Sequence, residues 1–544
     1  MASRSGHSLL ARSLEIAGVD TFFYLLGGPM AQSNLAARRG VIKIVDVRHE
    51  QAAAMMAHAY SRVTGRPGVC IAAAGPAITN LVTGVYNAYY DACPVVALGG
   101  ASPLSQVGRG SFQELDQVAV MKPITKWAGR ATQAARIPEL VATAFRHATS
   151  GRPGPVYLDF PGDVLSERVE EEDIHYPDPS QFSGRSTPQA DPQSVERAIE
   201  LLRDAKRPIV VSGSGVWWSQ ASDRLREFVE LTGIPFYTTP LGRGAVPEDH
   251  RYAFPAARTL AFREADFILV VGTRFNFILG FGKSPRFHSE ATIVQIDIDP
   301  SEMGNNRAVD VALVGDAGVV LGQLVDAAKD GLGEPSWAAW RRALQASNQE
   351  KIAAMASELN SDATPIHPMR LFREIGEFLP REAIIVADGQ ETLLYSRRAI
   401  ASYEPGHRLD EGPSACIGVG VPFGVGAKAG RPDTPVIVLS GDGGFGMNGM
   451  ELDTAVRNNL PIVVVVNNNG GWTAGIKGVT IPGRDLGFTR YDKIAENLGA
   501  HGEFVQTPAE IRPALERAFS CGKAACVNVV TDEYARAGAA IFGL

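Results

Sequence analysis

One repeated alternation in the last third of the chain constrains the fold more than any other feature. Two short apolar, β-branched runs span residues 435–440 and 461–466, and the stretch 450–457 between them has helical periodicity. A strand, a helix and a second strand in this order predict a βαβ unit with parallel strands. Asp442 follows the first strand and Asn469 follows the second. We therefore expect both side chains at the same edge of one sheet.

This sheet edge is rich in oxygen ligands. The Asp442 carboxylate, the Asn469 amide and the backbone carbonyl of Gly471 are hard donors, which suit a magnesium ion that also binds phosphate oxygens. Gly441 and Gly443 flank the aspartate and allow backbone N–H groups to approach a phosphate closely. The alternative is an ordinary turn in which Gly and Asn serve only as turn formers.

Length and composition limit the possible classes of protein. A chain of 544 residues is too long for one core and fits about three domains. Its 45% hydrophobic and 20% charged residues are typical of soluble proteins, and a net charge of −7 disfavours a nucleic-acid surface. We found no convincing membrane span or signal core, so we expect no membrane association and a cytoplasmic location. Five scattered cysteines predict neither a zinc site nor a disulfide framework.

Strands and helices alternate along the whole chain, which predicts an α/β protein with parallel sheets. Two breaks interrupt the alternation. The polar, proline-containing stretch 173–194 is predicted to be a linker, and a second boundary is expected within 330–368. We therefore expect three domains, at residues 1–185, 190–345 and 360–544, the last with a short tail.

Glu50 stands at the start of an alanine-rich helix predicted over residues 51–64. A glutamate in a first helical turn is common, because it favours the positive end of the helix dipole. The glycine- and asparagine-containing run 75–80 follows, and with the later Gly-Asp-Gly and asparagine motifs it resembles thiamine diphosphate enzymes. In that family a glutamate at the Glu50 position switches on the cofactor's own amine, which ionises the neighbouring thiazolium carbon. The resemblance implies that Glu50 is catalytic and that the first domain binds the pyrimidine ring.

The resemblance also implies thiamine diphosphate and Mg²⁺ as cofactors and a diphosphate-binding third domain. Asp442, Asn469 and the carbonyl of Gly471 would hold the metal. Val419 takes the place of the bulkier residue that bends the cofactor, and the helix after Gly389 could bind phosphate through its N–H groups. The residues expected to contact the cofactor are Glu50, Gly389, Gln390, Val419, Gly441, Asp442, Gly443, Asn469 and Gly471.

The middle domain has a Rossmann-like pattern. Its glycine turn at 213–215 is too short for the dinucleotide fingerprint, which disfavours a Rossmann dehydrogenase. The segments 272–282 and 295–306 resemble the middle domain of 2-hydroxyacyl-CoA lyases and oxalyl-CoA decarboxylases. In the latter this domain can hold ADP, and Arg274 and Asp297 are the matching candidates for phosphate and ribose contacts. FAD, which acetolactate synthases place across this domain, is less favoured, and an empty scaffold is the other alternative.

The choice among subfamilies depends on a few positions. None of the ten histidines are adjacent, unlike the His-His pair of pyruvate decarboxylase relatives. Phe112 and Gln113 replace the Tyr-Glu of oxalyl-CoA decarboxylases and are similar to both 2-hydroxyacyl-CoA lyases and acetolactate synthases. Gln113 would hydrogen-bond the substrate hydroxyl or oxyanion. Arg397 matches the part of CoA-using relatives that approaches the CoA phosphates.

We therefore expect a carbon–carbon lyase that cleaves a 2-hydroxyacyl-CoA to formyl-CoA and an aldehyde or ketone, and that also runs in reverse as a condensation. The alternatives are an acetolactate-synthase-like carboligase acting on 2-keto acids, an oxalyl-CoA decarboxylase and a non-catalytic, nucleotide-binding homologue. The expected partners are small acyl-CoA and carbonyl substrates. In relatives the two halves of the site come from different subunits, which implies a homodimer or homotetramer. A lid formed by the tail, residues 531–544, is a further hypothesis.

Overall fold

The computed structural model describes residues 3–31, 33, 41–332 and 337–538. These residues form three separate parallel sheets with helices packed against them, as well as one short antiparallel pair, Ser3–Ser5 with Arg168–Glu170. The predicted α/β class with three parallel-sheet units is confirmed. The last six residues of the predicted lid lie outside the described part of the chain.

The first sheet has six parallel strands. In spatial order they are Lys43–Asp46, Thr21–Tyr24, Gly68–Ala72, Val95–Ala101, Val156–Pro161 and Trp127–Arg130. The α-helices of this region are Gly6–Ile16, Glu50–Thr64, Pro76–Tyr90, Gln117–Met121, Ile137–Thr149 and Gly162–Ser166.

The middle sheet has five parallel strands. In spatial order they are Phe236–Thr238, Pro208–Ser212, Phe267–Val271, Thr292–Asp297 and Val311–Val314. The α-helices around this sheet and after it are Pro192–Asp204, Ser214–Trp218, Ser222–Thr232, Arg258–Glu264, Ala317–Gly331, Ala338–Ala354 and Ala356–Leu359.

The third sheet again has six parallel strands and repeats the strand order of the first sheet. In spatial order they are Arg408–Asp410, Ile384–Asp388, Val436–Gly441, Val463–Asn468, Ala525–Val530 and His501–Val505. The α-helices are Pro368–Phe378, Gln390–Ala399, Gly420–Gly430, Asp442–Asn448, Glu451–Arg457, Tyr491–Asn497 and Pro508–Ser520.

Two segments have local structure that the sequence patterns did not specify. The predicted linker 173–194 runs into the helix Pro192–Asp204, which begins with proline at its first position and is capped by the Asp191 carboxylate accepting from Ser194 N at 3.0 Å. Proline suits that position because its missing N–H would have no helical partner there. The glycine-rich segment around 417–426 forms most of the helix Gly420–Gly430.

That helix packs directly against the helix Glu50–Thr64 of the first sheet, and their buried residues belong to one hydrophobic core. A Cβ atom on Gly426 would lie 2.2 Å from the carbonyl oxygen of Met56, so only glycine permits this approach. The first and third sheets are thus joined by a rigid helix pair. Among the described helices, none is both long enough and apolar enough to cross a bilayer.

Candidate active site

Parallel pairing brings the predicted metal ligands to one sheet edge. Gly441 lies opposite Asn467 in the register of the two central strands. Asp442 and Asn469 are the first residues after these two strands. The connection between the strands holds two short helices in place of the single predicted one. Both loops therefore leave the sheet at the same end, where the βαβ pattern predicts the binding crevice.

The environment of Asp442 fits a cation. Its side chain is 2% exposed, and Oδ1 accepts a hydrogen bond from Gly443 N at 2.9 Å. Oδ2 is buried and no described residue donates to it, and the same holds for Oδ1 of Asn467. Burial raises the pKa of Asp442 to about 6. An unpaired buried acceptor costs about 1–3 kcal/mol, which a bound cation would offset.

The neighbouring turn supplies the other expected donors. Oδ1 of Asn469 lies 3.3 Å from Gly471 N, whereas Asn468 donates to Thr489 O and Asn528 Oδ1 at 3.1 and 3.0 Å. The side chain of Asn468 is thus occupied by hydrogen bonds that stabilise the fold. Asn469 is the amide of this pair whose side chain contacts the turn. In the described ranges no three His, Cys, Asp or Glu side chains cluster as a metal site. One carboxylate, one amide and one carbonyl suit Mg²⁺ when phosphate and water oxygens complete its shell.

Glycines close to this turn are required by tight packing. A Cβ atom on Gly443 would lie 2.6 Å from the Trp472 ring, and one on Gly471 would lie 2.6 Å from Arg484 O. Gly389, with a positive φ of 99°, precedes the helix Gln390–Ala399. The structure places it beside the same sheet edge, since a Cβ atom on Gly389 would lie 3.6 Å from Gly441 N.

Asp388 was not among the site residues predicted from the sequence. Its fully buried carboxylate accepts from Gly418 N and Gly420 N, both at 2.9 Å, and burial raises its pKa to about 6. These two bonds fix the peptide on either side of Val419, whose side chain is completely buried. An aspartate at the carboxyl end of a predicted strand was the signal that could have identified it.

The structure brings Glu50 and Gln113 together. Glu50 is the first helical residue, is 8% exposed and accepts from Asn80 Nδ2 at 2.9 Å. It lines an open cavity, and Phe112 and Gln113 line the same cavity. Gln113 has a positive φ of 57°, and Phe112 is 83% exposed. All the described residues that line this cavity precede residue 163, so Asp442 and Asn469 belong to a different half of the site.

A carboxylate from the third sheet holds the start of the helix that bears Glu50. Glu451 is 1% exposed and accepts from the backbone N–H groups of Arg48 and His49, both at 3.1 Å. Burial raises the pKa of Glu451. Glu451 lies in the helix Glu451–Arg457, between Asp442 and Asn469. The position of Glu50 therefore depends on the βαβ unit that carries the predicted metal ligands.

The middle sheet has its own cavity, lined by loops at the carboxyl ends of its strands and by residues of the first region. Arg274 and Asp297 both line it, as predicted for a nucleotide site. Arg274 donates to Tyr90 O at 2.8 Å, and burial raises the pKa of Asp297 to about 6. Arg152, paired with Glu302 at 3.0 Å, lines the same cavity and was not foreseen.

Arg397 lies apart from both cavities, in a group of arginines that the sequence did not reveal. It contacts Asp410 Oδ2 at 3.3 Å. The guanidinium of Arg258 has two buried nitrogen atoms, Nε and Nη2, for which the described residues offer no acceptor. Burial, followed by the charges of Arg286 and Arg397, lowers the pKa of Arg258 to about 9. Arg258 therefore keeps unpaired donors, whereas Arg397 has a carboxylate partner in Asp410.

Comparison with known families gives the chain its identity. Three models match in succession: the thiamine pyrophosphate enzyme N-terminal TPP binding domain over residues 4–120, the central domain over 195–324 and the C-terminal TPP binding domain over 389–529. The chain belongs to the thiamine pyrophosphate enzymes. Thiamine pyrophosphate is another name for thiamine diphosphate, the cofactor predicted from the sequence.

Similar proteins within the thiamine pyrophosphate enzymes carry different activities in their names. An acetolactate synthase large subunit of Mycobacterium tuberculosis is 38% identical over 96% of this chain and 95% of its own length. A 2-hydroxyacyl-CoA lyase of Arabidopsis thaliana is 35% identical over 98% and 97%. An oxalyl-CoA decarboxylase of Escherichia coli is 32% identical over 97% and 95%. The predicted family and the prediction of an enzyme are confirmed, whereas the individual residue roles and the domain boundaries stay predictions.

The raised pKa of Asp442 predicts a pH-dependent effect of Asp442→Asn in magnesium-free buffer. A carboxyl group whose pKa is about 6 when folded and about 4 when unfolded destabilises the fold increasingly from pH 4 to 6, by at most about 3 kcal/mol. The thermal midpoint of Asp442→Asn should therefore rise relative to wild type between pH 4 and 6 and stay level above. A constant difference across pH 4–7, measured by calorimetry, would contradict this.

Proposed function

We propose that this thiamine pyrophosphate enzyme is a 2-hydroxyacyl-CoA lyase, which cleaves its substrate to formyl-CoA and an aldehyde or ketone and also catalyses the reverse condensation. The observation that carries this proposal is the group of arginines around Arg397. Burial, followed by the charges of Arg286 and Arg397, lowers the pKa of Arg258, and Arg258 has unpaired buried N–H groups. Guanidinium groups bind phosphates through several directed hydrogen bonds. The multiple phosphates of a CoA substrate fit this excess of donors.

The same observation weighs against the alternatives. A 2-keto acid such as pyruvate carries one carboxylate and gives no reason for three neighbouring guanidinium groups, so an acetolactate-synthase-like carboligase is disfavoured. An oxalyl-CoA decarboxylase would share the CoA contacts. Phe112 and Gln113 disfavour it, because they stand where that family has Tyr-Glu. A non-catalytic homologue is disfavoured because Glu50 and the metal loop are both intact.

The residues of the chain have separable roles. Thiamine diphosphate, when bound, supplies a carbon nucleophile that can carry the one-carbon acyl fragment. Asp442, Asn469 and the Gly471 carbonyl hold Mg²⁺ and with it the diphosphate. Glu50 donates or accepts the proton at a pyrimidine nitrogen, and its 8% exposure limits competition from water. Gln113 donates to the hydroxyl or oxyanion of the substrate.

The active site is proposed to form between two copies of the chain. The cavity at Glu50 is open and its described lining comes from the first region, so another surface must close it over the cofactor. Exposed apolar side chains occur on both halves, including Phe112 in the loop of the first and Met447 and Trp472 beside the metal loop. We therefore propose a homodimer or homotetramer.

All five cysteines are free, which agrees with a cytoplasmic location.

The cavity of the middle sheet is proposed to bind ADP. Its cationic lining residues Arg152 and Arg274 suit phosphate groups, and Asp297 suits ribose hydroxyls. Burial lowers the pKa of Arg274, so an anion beside this residue would restore the favourable charged state. FAD is the less favoured occupant, because the glycine turn is short.

Glu50→Gln tests the proposed acid–base role. The variant should lose at least about 100-fold in kcat, since general acid–base groups typically contribute 10²–10⁴-fold. It should keep its magnesium-dependent affinity for thiamine diphosphate in calorimetry, because Glu50 does not contact the proposed metal loop. Asn80→Ala, which removes the hydrogen-bond donor to Glu50 without adding a charge, serves as a milder comparison. Near-normal turnover by Glu50→Gln would refute the role.

Arg258→Met and Arg397→Gln test the acyl-CoA assignment. Loss of one charge-assisted hydrogen bond costs about 1.5–3 kcal/mol, so KM for a 2-hydroxyacyl-CoA should rise about 10–100-fold with little change in kcat. Turnover of the matching N-acetylcysteamine thioester, which lacks phosphates, should not change. Arg398→Gln is the control, because Arg398 is exposed on the same helix. An unchanged KM in both variants would contradict CoA binding at this group.

A further inference from the structure

Arg484 is a buried cation directly beneath the proposed metal loop. Its side chain is 6% exposed. Nε donates to Thr473 O at 2.9 Å, and Nη2 donates to Asn469 O at 3.2 Å. The guanidinium therefore spans the turn 469–473 from one end to the other. Four residues of this turn therefore lie against Arg484. Residues 469 and 473 accept from its side chain, and residues 471 and 472 lie against its side chain or its backbone.

Contact with Gly471 is especially close. A Cβ atom there would lie 2.9 Å from Cζ of Arg484 and 2.6 Å from its backbone oxygen. The same backbone oxygen accepts from Trp472 N at 2.9 Å. Both the side chain and the main chain of Arg484 thus support the peptide whose carbonyl is the proposed metal ligand. The requirement for glycine at position 471 follows from this contact, in addition to any need of the cofactor.

Arg484 also joins the turn to the end of the chain. Nη2 donates to Glu533 O at 3.3 Å, and that oxygen accepts from Gly475 N at 2.6 Å. A few residues later, Ala537 N donates to Glu391 Oε2 at 3.0 Å, in the first turn of the helix that follows Gly389. The segment 533–538 therefore connects the metal turn with the second proposed diphosphate-binding element.

We propose that Arg484 is a positioning residue. It holds the backbone of the turn so that the side-chain amide oxygen of Asn469 and the backbone carbonyl oxygen of Gly471 lie at the spacing required by Mg²⁺. It also couples this turn to the segment 533–538. This inference rests on the proposed metal assignment. Arg484 accomplishes it with a planar fork of five N–H donors, a geometry that lysine cannot reproduce. Magnesium demands near-ideal octahedral geometry, whereas Ca²⁺ tolerates irregular shells. A loosened turn should consequently impair Mg²⁺ binding more than Ca²⁺ binding.

Calorimetric titration of MgCl₂ into protein in the presence of excess thiamine diphosphate, without substrate, tests the proposal. Residues that orient metal ligands typically contribute 10–100-fold to affinity, so Arg484→Met should raise the Mg²⁺ dissociation constant by about that factor. Arg484→Lys should lie between Arg484→Met and wild type. A parallel CaCl₂ titration should show a smaller loss, so the preference for Mg²⁺ over Ca²⁺ should fall. General destabilisation would not change that ratio.

Two variants serve as controls. Asp485→Asn removes the exposed partner of Arg484, which is held at 2.8 Å, but leaves its carbonyl contacts, so its Mg²⁺ affinity should match wild type. Arg517→Met breaks a bidentate pair with Glu503 far from the turn and should also match wild type. If Arg484→Met does not fold, as judged by its thermal transition without metal, the Arg484→Lys titrations decide alone.

The outcomes separate this proposal from the proposed function. Wild-type protein that shows no magnesium-dependent binding of thiamine diphosphate would overturn the metal assignment and this inference with it. Wild-type protein that binds Mg²⁺, together with Arg484 variants of unchanged affinity and unchanged Mg²⁺/Ca²⁺ preference, would overturn the positioning role alone. A raised Mg²⁺ dissociation constant with a reduced preference for Mg²⁺ would support it.

Discussion

The close packing of helix Glu50–Thr64 on helix Gly420–Gly430 is the constraint on which the arrangement of the site depends. Glycine at 426 lets the two helices approach to a distance that any side chain would prevent. One helix carries Glu50 at its start, and the other follows Val419. Glu451 strengthens the joint by accepting from the peptides just before Glu50. The first and third sheets, which have the same strand order, are thereby joined through this helix pair.

Each sheet then presents an incomplete site. The first presents a protected carboxylate and an exposed aromatic side chain beside an open cavity, and the third presents a buried carboxylate oxygen without a donor. Neither set performs the proposed chemistry alone, because the residues proposed for proton transfer and for metal binding lie at different sheets. Assembly of two chains and binding of the cofactor would satisfy both deficits together. The arginines around Arg397 are proposed as a third element, which selects the substrate.

The sequence predicted the elements that depend on local pattern. The βαβ unit, Asp442 and Asn469 follow from strand ends, whereas Glu50 became a candidate through the family resemblance, and the surroundings of these residues agree with the expected positions. What it missed depends on long-range packing. Asp388 and Arg484 act through backbone groups 30 and 15 residues away, and the charge of Arg397 lowers the pKa of Arg258 from a distant part of the chain. No spacing in the chain reveals such interactions.

The most direct test of the account is product analysis by mass spectrometry after incubation of the protein with thiamine diphosphate and Mg²⁺. A panel of 2-hydroxyacyl-CoAs, oxalyl-CoA and pyruvate separates the three activities named among its relatives. The account predicts formyl-CoA and an aldehyde or ketone from at least one 2-hydroxyacyl-CoA, and no carboligation product from pyruvate. Acetolactate formed from pyruvate without any CoA compound, and no cleavage of 2-hydroxyacyl-CoAs, would contradict it.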